Sequence, residues 1–149
     1  MVPLKEAMDN ELWLKAVAKD LIFQIRPLSL TKVDIANEVD EPLSLEKIDL
    51  HSNVWLLKLD IVNLCREKQN YRTINRHLIL MDSDEFIFPV LYDTHLNYYS
   101  KYSNTSNLIF FEKSGFTPKI KKSGAVVFEL PEHFDNLFIG FNDGSIMEA

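Results

Sequence analysis

The sequence predicts an all-β fold, an immunoglobulin-like antiparallel β-sandwich of about seven strands preceded by a short N-terminal α-helix. Three observations predict it: apolar residues alternate with period two in several short runs, turn-forming residues separate those runs, and no helical stretch is interleaved among them. At 149 residues the chain is long enough to bury a core without disulfides or metals, and no linker or repeat divides it.

The opening segment spaces Leu4, Met8 and Leu12 four apart with Lys5, Glu6, Asp9 and Lys15 between them, which suits a short amphipathic helix. We therefore expect residues 1–16 to form a helical extension and residues 17–149 the sandwich. From Val17 the period changes to two, with Val17, Leu21, Phe23 and Ile25 on one face and Asp20, Gln24 and Arg26 on the other. Pro27 disturbs that ladder without having to end it.

The stretch from Asp34 to Asp49 holds six acidic residues around Pro42 and reads as a surface connection. The strongest strand signal follows at Val54–Leu64, where Trp55, Leu57, Leu59 and Ile61 alternate with Leu56, Lys58, Asp60 and Val62. It reads as a central strand carrying a core tryptophan. The polar run Arg66–Asn70 demands a turn, and Asp82–Glu85 makes a second one between Leu78–Met81 and Phe86–Phe88, which is a hairpin. Further strands are expected around Leu108–Phe111, Ala125–Leu130 and Leu137–Phe141.

Composition narrows the function classes. Hydrophobic residues make up 46% and charged residues 26%, a globular balance. The net charge of −6 disfavours nucleic acid, whose phosphates need a basic face. Cys65 is the single cysteine and has no partner within the chain. No export signal or bilayer-spanning run is visible, so the chain as written reads as soluble and cytoplasmic, and as extracytoplasmic if a leader has been removed. On that ground the sequon Asn104-Thr105-Ser106 is read as coincidental.

Three blocks carry a family resemblance: Asn53 to Asn63, His77 to Asp82, and Ser123 to Pro131. Their order, a long strand ending in Asn, a strand ending in Asp at a turn, and a Gly-then-apolar strand closing with Pro, resembles the bacterial immunoglobulin-like domains of unknown function found on many surface lipoproteins and often mislabelled as telomeric-repeat-binding-factor-like. The resemblance spans residues 17–142. It implies a β-sandwich and supplies no catalytic residue.

No constellation of reactive residues stands out. Cys65 has no glycine-shaped elbow around it, and His51, His77, His95 and His133 fit no zinc spacing, so no catalytic residue, metal or cofactor is expected. Asp82, Asp84 and Glu85 could offer oxygens to calcium but lack the glycine and spacing of a dedicated loop, while Glu132, Asp135 and Asp143 would have to be brought in by the fold. Lys113, Lys119, Lys121 and Lys122 form a basic patch best read as an edge strand protected by lysines.

The segment Tyr92–Asn107 is dense in Tyr, Ser and Asn, the chemistry of a binding loop, in which tyrosines give contact area and polar tips while Ser and Asn give adaptable hydrogen bonds. The alternative is that its tyrosines pack down as a lid over one end of the sandwich. The expected function is a non-catalytic protein-protein interaction module using Tyr92, Tyr98, Tyr99 and Tyr102, with Trp13 and the helix face of Leu4, Met8 and Leu12 as a second contact or a route to self-association. The alternative is a small-ligand or glycan-binding sandwich in which the same tyrosines stack on a sugar and Asp93, Asn97 or Asn104 bond its hydroxyls. An enzyme of unrecognised type ranks behind both.

Overall fold

The computed structural model describes residues 1–33, 53–91 and 115–149. Among them the elements run in order Val2–Pro3 (β1), Leu4–Asp9 (α1), Leu14–Ala18 (β2), Leu21–Val33 (β3), Val54–Asn63 (β4), Gln69–Asn70 (β5), Tyr71–His77 (α2), Leu78–Met81 (β6), Ile87–Pro89 (β7), Gly115–Phe116 (β8), Lys121–Glu129 (β9), Phe138–Phe141 (β10) and Ser145–Glu148 (β11). One sheet has the order β11-β2-β3-β4-β9, the other β1-β10-β6-β7, and β5 pairs with β8 in a small third ladder. The strand pairs are antiparallel, as the alternating sequence pattern requires.

The core is the space between the two large sheets. In β4 the alternation predicts the inward face correctly, with Leu57, Leu59 and Ile61 fully buried. They meet Leu78, Leu80, Ile139 and Phe141 from the opposite sheet, and Phe23 bridges the layers with its ring 6.4 Å from Phe141 and 6.3 Å from Phe116. Each such side chain contributes about 1.5–3 kcal/mol by leaving water.

The stretch from Val17 to Arg26 is not one strand. It folds back at Lys19–Asp20, where Lys19 takes a left-handed φ of 53°, and Ala18 pairs with Leu21 across the turn. No Gly or Asn marks this turn, so the sequence pattern runs through it. Beyond it, β3 continues past Pro27. Proline offers no N–H to the ladder, and the register slips there, with Pro27 opposite Leu59 but Ser29 opposite Lys58. Leu28 is the extra residue. The bulge inverts the alternation, so Leu30, opposite core Leu57, faces the interior instead of Ser29.

The predicted N-terminal helix is only six residues long, and the extension expected over residues 1–16 belongs to the sandwich. Val2–Pro3 pairs with β10, Leu14–Ala18 lies between β3 and β11, and Glu11 turns the chain with a φ of 52°. Leu4 and Ala7 are buried and Met8 and Leu12 pack on the core. A second helix, α2, was hidden in a stretch without alternation. Asn70 caps it, its side-chain oxygen accepting from the Arg72 N–H at 2.9 Å, and Tyr71 and Ile74, one turn apart, are buried. The hairpin of β6 and β7 around Asp82–Glu85 is as predicted. The expected strand at Leu108–Phe111 and the acidic connection at Asp34–Asp49 lie outside the described residues.

A polar row crosses the outer face of the five-stranded sheet. Arg26 is opposite Asp60, which is opposite Ser123. Arg26 donates to Asp60 Oδ2 from Nη2 at 2.7 Å and Nε at 3.2 Å, and the Ser123 hydroxyl donates to Oδ1. The guanidinium also lies over Trp13, 4.7 Å from the ring centre. Burial pushes the Asp60 pKa up, but the Ser123 and Arg26 hydrogen bonds and the charges of Arg26 and Lys121 outweigh it and hold the carboxyl below its ordinary 3.8.

Two stability experiments follow from this geometry. Because the folded state holds the Asp60 carboxyl below its unfolded pKa, its contribution is complete above that unfolded value and is lost as pH falls through the folded one. Asp60→Asn should cost about 1–3 kcal/mol in urea unfolding at neutral pH, and the gap from the parent protein should close on titration below about pH 4. At Gly144 a Cβ would lie 2.0 Å from the Val17 carbonyl oxygen and 2.8 Å from the Ala18 Cβ. Gly144→Ala should therefore lose at least about 1–3 kcal/mol, read as a lowered thermal midpoint.

Candidate interaction surfaces

The described residues form three surface features that could engage another molecule. The first is the tip of the β6–β7 hairpin. Asp82 closes it, its Oδ1 accepting from the N–H groups of Asp84 at 3.0 Å and Phe86 at 2.9 Å, and Glu85 is left-handed at φ 68°. This tight turn projects Phe86 and Ile87 into solvent at 66% and 53% exposure, beside Asp84 and Glu85. Among the described residues β7 is also the last strand of its sheet, though Val90 just beyond it bridges to Phe128 of β9.

The second feature lies at the other end of the sandwich. Asn63, fully buried, ends β4 and organises that end: its Nδ2 donates to the Phe116 and Glu67 carbonyls at 2.7 and 3.0 Å, and its Oδ1 accepts from the Cys65 N–H at 2.8 Å. The Asn63 carbonyl accepts from Lys119, which is left-handed at φ 64°. The resulting turns expose Leu64 and Ile120. A cleft of about 560 Å³ opens here, walled by Leu21, Ile22, Leu64 and Cys65 and flanked by Lys19 and Arg66 on one side of the charge balance and Asp20 and Glu67 on the other. The Cys65 thiol sits 3.3 Å from the Ile22 N–H, whose hydrogen it accepts.

The third feature is a groove of about 460 Å³ between α1 and the segment before β10, lined by Leu4, Met8, Leu30, Phe134, Leu137 and Phe138 with Lys5 and Asp135 at its rim. Phe134 stands edge-on against Trp55, centroids 5.2 Å apart, and the buried Trp55 Nε1–H has no acceptor among the described residues. The tryptophan expected in the core is half-buried at its margin.

Among the sequence-predicted site residues, Tyr92, Tyr98, Tyr99 and Tyr102 lie outside the described residues. Trp13 is half-buried beneath Arg26, and of the helix stripe Leu4 is buried while Met8 and Leu12 are half-buried against the core. Asp82 spends one oxygen on backbone amides, and among the described residues no three His, Cys, Asp or Glu side chains gather as a metal site. His77 stacks on Phe141 at 5.2 Å and donates from Nδ1 to the Asn142 carbonyl at 2.8 Å. Lys121 lies at the start of β9, the outermost strand of its sheet among the described residues, where a charge deters edge pairing. The hairpin tip and the groove were missed as surfaces. The run Asp84-Glu85-Phe86-Ile87, an apolar pair placed directly after two acids in a turn, was the available signal for the first.

No family model matches the chain, and no curated protein matches it. Among solved structures it is similar to MPT63, described as a secreted protein from Mycobacterium tuberculosis, with a TM-score of 0.53 and 8% identity over 90% of each chain. At that identity the likeness is one of fold. It agrees with the two-sheet antiparallel sandwich and short N-terminal helix that the sequence predicts, and among the described residues no helix is long and apolar enough to cross a membrane.

Proposed function

We propose that the chain is a non-catalytic protein-interaction module of the bacterial immunoglobulin-like kind, working through the β7 side of the sandwich. The observation that carries this reading is the hairpin tip, where Phe86 and Ile87 are solvent-exposed at the end of a terminal strand. An aromatic and a branched aliphatic side chain held out by a turn whose backbone is pinned by Asp82 are pre-organised, so little entropy is lost when a partner covers them. The Tyr-rich stretch opens directly after Leu91, two residues past the end of β7, so the aromatic residues of both segments belong to one continuous piece of chain. Tyrosine is among the side chains that concentrate binding energy at such contacts, and phenylalanine is enriched in the cores of protein interfaces.

A photo-crosslinking residue placed at Phe86 should give one discrete covalent adduct in cells of the source organism. The adduct should fade when Tyr98, Tyr99 and Tyr102 are changed to Ser in a variant that still melts cooperatively. A smear of low-yield products, or no product, would sink the reading.

A small-ligand site is a second reading, favoured by the groove beside Phe134. Its walls are apolar and its rim carries one cation and one anion, a suitable lining for a compact amphipathic molecule. Under this reading the fluorescent probe anilinonaphthalene sulfonate binds the folded protein with a saturable isotherm, and Met8→Trp, which fills the groove, weakens it by about tenfold or more. Unchanged binding in that variant would remove the groove from consideration.

A further inference from the structure

Trp55 carries a polar group that the fold buries without using. It lies on the inward face of β4 next to Leu57, with Lys32 of β3 opposite it on one side and fully buried Phe128 of β9 on the other. Its Nε1–H is buried, and no acceptor among the described residues meets it. Buried donors in folded proteins are nearly always paired, so an orphan one is a place for an acceptor from outside the chain. An indole N–H can only donate, so whatever meets it must accept.

The groove between α1 and the segment before β10 shares a wall with this indole. Phe134 lines the groove and stands edge-on to Trp55, centroids 5.2 Å apart. Leu30, in the same wall, pairs with Leu57, the neighbour of Trp55 on the inward face. The backbone that carries Phe134 is tied at both ends, where the Leu130 N–H donates to the Asn53 carbonyl at 3.0 Å and the Leu4 N–H donates to the Leu137 carbonyl at 2.8 Å. Between those ties it belongs to no strand or helix, and the Phe134 ring is only half-buried.

We propose that the groove takes an uncharged, mainly apolar molecule with one carbonyl oxygen, which accepts a hydrogen bond from Trp55 Nε1 as the Phe134 ring turns aside. This rests on the reading of the groove as a small-ligand site and names the class of ligand. Leu4, Met8, Leu30, Leu137 and Phe138 supply apolar walls to a space of about 460 Å³. At the rim Lys5 and Asp135 cancel, so the rim selects no net charge. A single neutral N–H cannot offset the cost of burying a carboxylate, which leaves an uncharged oxygen as the acceptor that fits.

NMR on the full chain, labelled at the tryptophan nitrogens and the methionine methyls, tests this with three probes of similar length. The Met8 methyl reports whether the groove is occupied, and the Trp55 N–H reports the hydrogen bond. Trp13→Phe and Met8→Leu assign the signals. Methyl hexyl ketone should shift both reporters along one saturable curve, the Trp55 proton moving downfield. Octane should shift the methyl without moving that proton downfield, and octanoate should bind about tenfold or more weakly than the ketone. Trp55→Phe should weaken the ketone by about threefold to tenfold, the loss of one hydrogen bond, while octane binding stays unchanged. The parent protein supplies both reporters, so the test does not depend on the folding of that variant. A ketone that shifts the Met8 methyl but not the Trp55 N–H, octane that moves that proton as far, or octanoate that binds as tightly would overturn the proposal and leave the groove reading standing. A Met8 methyl unmoved by the ketone would overturn the proposal, and the anilinonaphthalene sulfonate isotherm with Met8→Trp then decides the groove reading separately.

Discussion

The pairing of β3 with β4 is the contact on which the rest of the sandwich depends. It carries the inward residues Phe23, Ile25, Leu57, Leu59 and Ile61, and it must pass a proline that cannot donate to the ladder. The bulge at Leu28 resolves that conflict by exchanging the faces of the strand partway along. Before it the inward residues are Phe23 and Ile25, and after it Leu30 faces inward and reaches the groove beside Phe134. Had the alternation continued unbroken, Leu30 would have faced outward with Lys58, and the groove would have lost one of its apolar walls.

The parts legible in the sequence were those whose residues alternate and end in a chemically marked turn. Strand β4, the β6–β7 hairpin and the later strands β9 and β10 fall in this class, because a half-buried strand repeats every two residues. The fold-back at Lys19–Asp20 escaped notice because the left-handed position falls on a lysine with no Asn-Gly or Asp-Gly pair to mark it, and alternation looks the same on both sides of a two-residue turn. Helix α2 escaped for the opposite reason. Seven residues give too few turns for a helical period to emerge, and only the Asn70 cap announces it. The N-terminal stripe of Leu4, Met8 and Leu12 was correctly seen as apolar, yet an apolar stripe does not say what covers it. Here the chain's own core does.

Three residues of the family resemblance find local structural explanations. Asn63 satisfies two carbonyls and one amide where β4 ends, Asp82 receives two amides at the hairpin, and Gly124 lies opposite buried Leu59 in the ladder with β9. Residues that close turns at both ends of a sandwich govern the shape of whatever those ends present. The surfaces themselves, an exposed aromatic tip and an apolar cleft rimmed by both signs of charge, depend on which distant residues the turns bring together, and linear spacing does not encode that.

The five-stranded sheet places β2, near the beginning of the chain, directly against β11, near its end, with Val17 opposite Ser145. During synthesis, β2 and β3 can form their hairpin early, but the outer edge of β2 stays open until residues 145–148 have left the ribosome. Contacts so remote in sequence slow folding and prolong the time a nascent strand edge is available to other chains. A released chain truncated before Gly144 would thus leave the outer edge of β2 unpaired, a row of free N–H and C=O groups open to a strand from another molecule.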